Sequence, residues 1–105
     1  SKLIPCGIFL AEAMTNALKY AFPQDGVGTI RIGLEREQGG DGRALARLTV
    51  ADDGVGLPGD PEELGRHSFG LQCLQAAAMQ LGGALVLDSA PGRGTTVSAR
   101  FPLDD

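Results

Sequence analysis

Glu12, Asn16, Lys19 and Tyr20 bring an acid, a neutral amide, a cation and a phenol together at helical spacing. At roughly 100° per residue they share an arc of about 100°. Leu10, Met14, Ala17, Leu18 and Ala21 fall on the opposite side, which predicts an apolar, core-facing side. A helix face that is merely solvated is more often Glu, Lys, Arg and Gln. Asn is a poor helix former, so Asn16 in mid-helix needs a reason. Its carbonyl oxygen can ligate a hard cation such as Mg²⁺, which keeps most of its shell for water and phosphate oxygens. Lys19 can neutralise phosphate charge. Glu12, one turn from Asn16, can orient an attacking group or act as a base. The plainer alternative is a solvated face with one odd Asn.

A second set is Asp52-Asp53-Gly54-Val55-Gly56, directly after a strand-like run. A carboxylate at a strand end can accept a hydrogen bond from an exocyclic amine such as that of adenine. Gly54 and Gly56 let the main chain approach a flat ring. The same residues also read as an acidic β-turn, and no complete calcium-loop spacing is present. Ser68-Phe69-Gly70-Leu71 opens a second helix, where free N–H groups form an anion site. Ser68 equally suits a plain N-cap. Gly92-Arg93-Gly94-Thr95 precedes the last strand and, taken alone, is only a turn.

Other chemistries find no support. The chain lacks a Walker-type GxxxxGK[ST] loop, and no GxGxxG follows a strand and opens a helix. The single histidine, His67, lies in a loop with no Ser or Cys placed as its nucleophile, and reads as exposed polar surface. Cys6 and Cys73 are isolated, without metal-type spacing, and read as buried thiols of a reducing, cytoplasmic compartment.

The 105 residues fit one domain, with 43% hydrophobic and 21% charged residues, an ordinary globular mix. The net charge of −4 argues against a non-specific partner in nucleic acid or anionic membrane, since either needs a basic face. A small anionic ligand needs only a few local donors. No apolar run is long enough to span a bilayer.

These groups must be held by elements that the periodicity predicts. A helix runs from about Leu3 to Phe22, with Pro5 in its first turn. Phe22 to Gly26 is turn chemistry. Gly28 to Glu37 alternates as a half-buried strand, with Ile30, Ile32 and Leu34 on one face. Gly39 to Gly42 is a hairpin turn, and Ala44 to Ala51 a strand with Leu48 and Val50 inward. Asp52 to Gly70 has no periodicity, and a connection that long in a small domain is usually functional. Leu71, Leu74, Ala78 and Leu81 mark the second helix, stopped at Gly82-Gly83. Ala84 to Asp88 and Thr95 to Phe101 are the last strands. The order predicts an α/β two-layer sandwich, a mixed, mostly antiparallel sheet covered on one face by helices.

Taken in order, these sets resemble the catalytic ATP-binding domain of bacterial sensor histidine kinases. The wider superfamily, with the Bergerat ATP-binding fold, includes type II topoisomerases, mismatch-repair ATPases and a heat-shock chaperone. The resemblance covers about residues 3–103. Thr15 to Pro23 is similar to the N box, and Val50 to Pro58 to the first glycine box. Phe69 to Gln72, with Leu81-Gly82-Gly83, is similar to the second, and Ala90 to Thr95 to the third. The short lid resembles that of light- and stress-sensing kinases.

The resemblance implies ATP and Mg²⁺ as cofactors. It implies that Asn16 ligates the metal, that Glu12 sits near the γ-phosphate and that Lys19 contacts phosphate. Tyr20 would line the nucleotide pocket. Asp52 would bind the adenine amine, flanked by Gly54 and Gly56. Gly70 and Leu71 would lie by the phosphates, and Thr95 would support Asp52 through water. The chain departs from the family pattern at Ser68, where a further glycine is usual, and in the short polar stretch Gly59 to His67, which has no recognisable Phe-containing box. The implied partners are a response regulator and the kinase's own dimerising helices. Those helices, carrying the phosphoacceptor histidine, would lie upstream of these residues, together with any sensor domain. On that expectation this domain is a monomer and its parent a homodimer. A serine kinase of the anti-sigma-factor type shares the fold and is the enzymatic alternative. A degenerate docking module that binds no nucleotide is the non-enzymatic one.

Overall fold

The computed structural model of the protein describes residues 2–18, 26–55, 69–90 and 92–103. Helix α1 spans Leu3–Asn16, and Ala17 keeps helical angles, φ −61° and ψ −45°. The continuation expected to Phe22 lies outside the described residues. Strand β1 spans Ile30–Gln38, β2 Ala44–Asp52, helix α2 Phe69–Gln80, β3 Ala84–Ser89 and β4 Thr95–Pro102. The sheet order is β1-β2-β4-β3. All three pairings are antiparallel, so the mixed, mostly antiparallel sheet expected is antiparallel throughout these strands. No helix among the described residues is long and apolar enough to cross a membrane.

Both helices pack on one face of the sheet and against each other. Ala46, Leu48 and Val50 of β2 meet Val97, Ala99 and Phe101 of β4 in the core, as the alternation predicts. Helix α2 adds Leu71, Leu74, Ala77 and Ala78, with Leu81 just beyond its end. It stops where Gly82 turns to φ +90°. The Gly82 N–H then donates to the Met79 carbonyl and the Gly83 N–H to the Ala78 carbonyl, a Schellman ending.

Helix α1 departs from expectation in its facing. Its buried residues are Pro5, Phe9, Ala13 and Ala17, with Cys6 and Leu10 packed alongside. Met14 and Leu18, expected inward, are 36% and 65% exposed. Apolar residues run nearly all round this helix, so period alone does not choose a face. Phe9, with no exposed surface, is the largest side chain placed inward. Asn16 lies within about 20° of Phe9 on the helical wheel. It is therefore on the inward stripe, not opposite the core.

Strand β1 is an edge strand. Ile32 and Leu34 pair with Val50 and Leu48, which puts them on the core-facing side of the sheet, yet they are 51% and 69% exposed. On the opposite face, Glu37 of β1 bridges Arg47 of β2 and Arg100 of β4. Arg47 and Arg100 are register partners, and the shared carboxylate offsets their repulsion.

Candidate functional site

Asp52 ends β2, and its geometry comes from two loops. Asp52 Oδ1 accepts hydrogen bonds from the main-chain N–H of Gly54 at 2.9 Å and of Thr95 at 3.3 Å. Oδ2 makes no hydrogen bond to any described residue. One carboxylate oxygen is thus fixed, while the other keeps its full acceptor capacity. Gly94 allows the approach: its φ is +81°, and a Cβ there would lie 2.1 Å from the Asp52 carbonyl oxygen. The loops are tied again where the Gly92 N–H donates to the Val55 carbonyl at 2.7 Å.

Thr95 is the register partner of Asp52. Its amide reaches the carboxylate directly, and its hydroxyl lies 2.8 Å from Ser89 Oγ. Ser89 also donates to the Gly94 carbonyl at 3.2 Å. Ser89 was not singled out from the sequence. The available signal was hairpin register, which sets Ser89 opposite Thr95.

Asp53, beside Asp52, faces the other way. Its carboxylate accepts the Thr29 N–H at 2.8 Å, and its own N–H donates to the Thr29 carbonyl. A side chain therefore takes one bond of the ladder there, and β1 begins at Ile30, two residues later than the alternation suggested. In this acidic pair Asp53 closes the ladder on Thr29, and Asp52 holds the Gly54 and Thr95 amides through one oxygen.

A second group of candidate residues lies between the helices. Glu12 and Asn16 are both half-buried on α1. Asn16 rests on the first turn of α2, where a Cβ on Gly70 would lie 2.9 Å from Asn16 Oδ1. The Leu71 side chain is buried in the core, so anything it gives a ligand comes from its main chain. Lys19, Tyr20, Gly56, His67 and Ser68 lie outside the described residues, as does the lid. The structure therefore brings Asn16 to Gly70, and Asp52 to Gly54 and Thr95.

Among the described residues no cluster of three or more His, Cys, Asp or Glu could hold a metal. Among these residues a resident metal caged by protein ligands does not fit. A hard cation that takes one amide oxygen from Asn16 and the rest of its shell from phosphate and water does. Cys6 is set apart from this chemistry: burial pushes its thiol above the ordinary range, opposed by the nearby Lys2 charge. A concavity of about 360 Å³ lined by Arg36, Glu37, Gln38, Gly42 and Ala44 lies by the β1–β2 hairpin, at the far end of β2 from Asp52.

Known proteins are similar to this chain in sequence and fold. The family model described as histidine kinase-, DNA gyrase B-, and HSP90-like ATPase matches residues 5–105. Histidine protein kinase DivJ of Caulobacter vibrioides is 36% identical, over 86% of this chain and 16% of its own. Blue-light-activated histidine kinase 2 of Erythrobacter litoralis is 32% identical, over 92% of this chain and 27% of its own. The solved histidine kinase domain of an Erythrobacter litoralis blue-light activated histidine kinase superposes with a TM-score of 0.72 at 29% identity. That match covers 94% of this chain and 43% of that one. The chain thus spans little more than a quarter, at most, of these two curated relatives. With its half-fixed carboxylate at a strand end and its amide set between two helices, the chain belongs to the histidine kinase-, DNA gyrase B- and HSP90-like ATPase family, and is an ATP-binding domain of the kind found in sensor histidine kinases.

Proposed function

We propose that this domain holds ATP with Mg²⁺ and presents the γ-phosphoryl to a histidine on another part of a two-component sensor kinase. The observation that carries the reading is the state of Asp52. Oδ1 is held by two main-chain donors, and Oδ2 is left to accept the exocyclic amine of adenine. Gly54 and Gly56 flank the ring on this reading, with Thr95 and Ser89 bracing the carboxylate from behind. At the other end, the Asn16 carboxamide provides the metal's protein oxygen. Glu12 orients the acceptor imidazole near the γ-phosphate, Lys19 meets phosphate and Tyr20 lines the pocket. Gly70 and the Leu71 main chain lie at the helix start, where N–H groups favour anions. When bound, the metal ion neutralises phosphate charge; the protein's share of phosphoryl transfer is positioning and electrostatics.

The sensor-kinase relatives support a histidine acceptor over the serine-kinase alternative. A response regulator and dimerising helices are the partners this reading requires, in a cytoplasmic setting. The direct test is nucleotide selectivity by calorimetry in Mg²⁺. ATP should bind and GTP, which places a carbonyl where adenine has its amine, should bind far more weakly. Equal affinity for the two would count against the adenine contact.

A further inference from the structure

Gly70 and Asn16 meet across the α1–α2 interface. A Cβ on Gly70 would lie 2.9 Å from Asn16 Oδ1, 3.1 Å from Nδ2 and 3.4 Å from Cγ. A methyl carbon cannot occupy the first of those positions unless something moves. What moves decides the consequence. At Gly94 the obstructing atoms are the main chain of Asp52 and Asp53, and at Gly83 the nearest is the Arg100 carbonyl oxygen. A side chain at either glycine would have to displace a strand. At Gly70 all three obstructing atoms belong to one carboxamide. That group can turn about two side-chain torsions, between discrete rotamers.

From this contrast we infer that Gly70 is a positioning residue for Asn16: its missing side chain sets the direction in which the carboxamide points. A methyl at position 70 leaves α1 and α2 in place and swings the amide to another rotamer. Asn16 is half-buried on the inward stripe of α1, so its remaining rotamers do not present the same oxygen in the same place. The task is separate from any main-chain contact of Gly70 with phosphate. Its functional consequence rests on the proposed role of Asn16 as the ligand of ATP-bound Mg²⁺.

The test uses Gly70→Ala and Asn16→Ala, singly and together, in the 105-residue chain. Thermal melting should show Gly70→Ala folded. A chain that fails to fold contradicts the inference, because only a side-chain amide stands in the way. In nucleotide-free protein, the ¹⁵N-resolved side-chain amide signal of Asn16 should shift in Gly70→Ala. An unmoved signal overturns the inference, whatever Asn16 binds. The Mg²⁺-dependent gain in ATP affinity, Kd in EDTA over Kd in Mg²⁺, should fall about tenfold or more in Gly70→Ala, the scale seen when a group that orients a metal ligand is lost. It should fall equally in Asn16→Ala and no further in the double variant. Additive losses, or a full gain in Gly70→Ala, overturn the inference. If Asn16→Ala itself keeps the full gain, the metal assignment fails, and the amide signal alone decides what Gly70 does.

Discussion

Gly94 sits so close to Asp52 that a Cβ would lie 2.1 Å from the Asp52 carbonyl oxygen and 2.9 Å from its carbonyl carbon. The obstruction is main chain on a central strand, and the φ of +81° is one that side-chain-bearing residues avoid. Gly94→Ala should therefore lose more than the roughly 1–3 kcal/mol of a strained backbone angle. The midpoint of thermal unfolding should drop by roughly 10 °C or more. A melting curve unchanged from the parent would show that the β3–β4 turn does not need this glycine.

Asp52→Asn keeps the shape of the side chain and one oxygen for the N–H groups of Gly54 and Thr95. It replaces the second acceptor with a donor, which would oppose the adenine amine in the proposed contact. ATP affinity should fall about tenfold to a hundredfold, the scale of a hydrogen bond to a charged group. The melting point without nucleotide should move far less. Isothermal titration of both proteins reads the first, and a thermal shift the second.

Asn16→Ala and Asn16→Asp should each abolish Mg²⁺-dependent nucleotide turnover in a folded domain. Alanine removes the oxygen, and aspartate adds a charge where the proposed function puts phosphate. Full turnover in folded Asn16→Ala would remove Asn16 from the metal's coordination.

Leu74 is wholly buried in α2, whereas Met79, on the same helix, is 73% exposed. Leu74→Ala should cost about 2–5 kcal/mol in denaturant unfolding. Met79→Ala should stay within about 0.5 kcal/mol of the parent. Equal losses at the two positions would mean that the outer face of α2 is covered in solution.

Cys6 carries a thiol that burial pushes up and Lys2 pulls down. The thiolate is the reactive species, so alkylation of Cys6 should lag behind a free thiol at mildly alkaline pH, and Lys2→Ala should slow it further. A thiol raised in the folded state stabilises the fold below the ordinary thiol range. That contribution is lost as pH rises through the folded value. Mass-spectrometric alkylation rates against pH read the thiol's reactivity, and denaturant unfolding against pH reads its contribution to stability.

The sheet was legible because β2, β4 and α2 each have one apolar face at a clear period. Leu48, Val50, Val97, Ala99, Phe101, Leu74 and Leu81 are all buried as expected. The facing of helix α1 is not legible from period, because Leu3, Ile4, Ile8, Met14 and Leu18 spread apolar surface over its exposed side. The exposure of β1 is not legible either, because alternation gives the face of a strand and not its place at the sheet edge. In the site, residue types pointed to Asp52 and Asn16. They could not say that Asp53 would close the ladder on Thr29, or that Ser89 would pair with Thr95. Both contacts depend on strand register, between segments 24 residues apart for Asp53 and across a hairpin for Ser89, and residue type alone does not give register.

Asp52 and Thr95 are the last register pair of the β2–β4 ladder, 43 residues apart in sequence. The end of a ladder frays before its middle, and local opening of this kind costs less than global unfolding. The amide that steadies Asp52 is therefore among those that should open most readily in the empty domain. Nucleotide seated against Asp52 would close it. The Thr95 amide becomes a native reporter of occupancy, its hydrogen exchange slowing as the ligand fills the site while amides at the centre of β4 barely change.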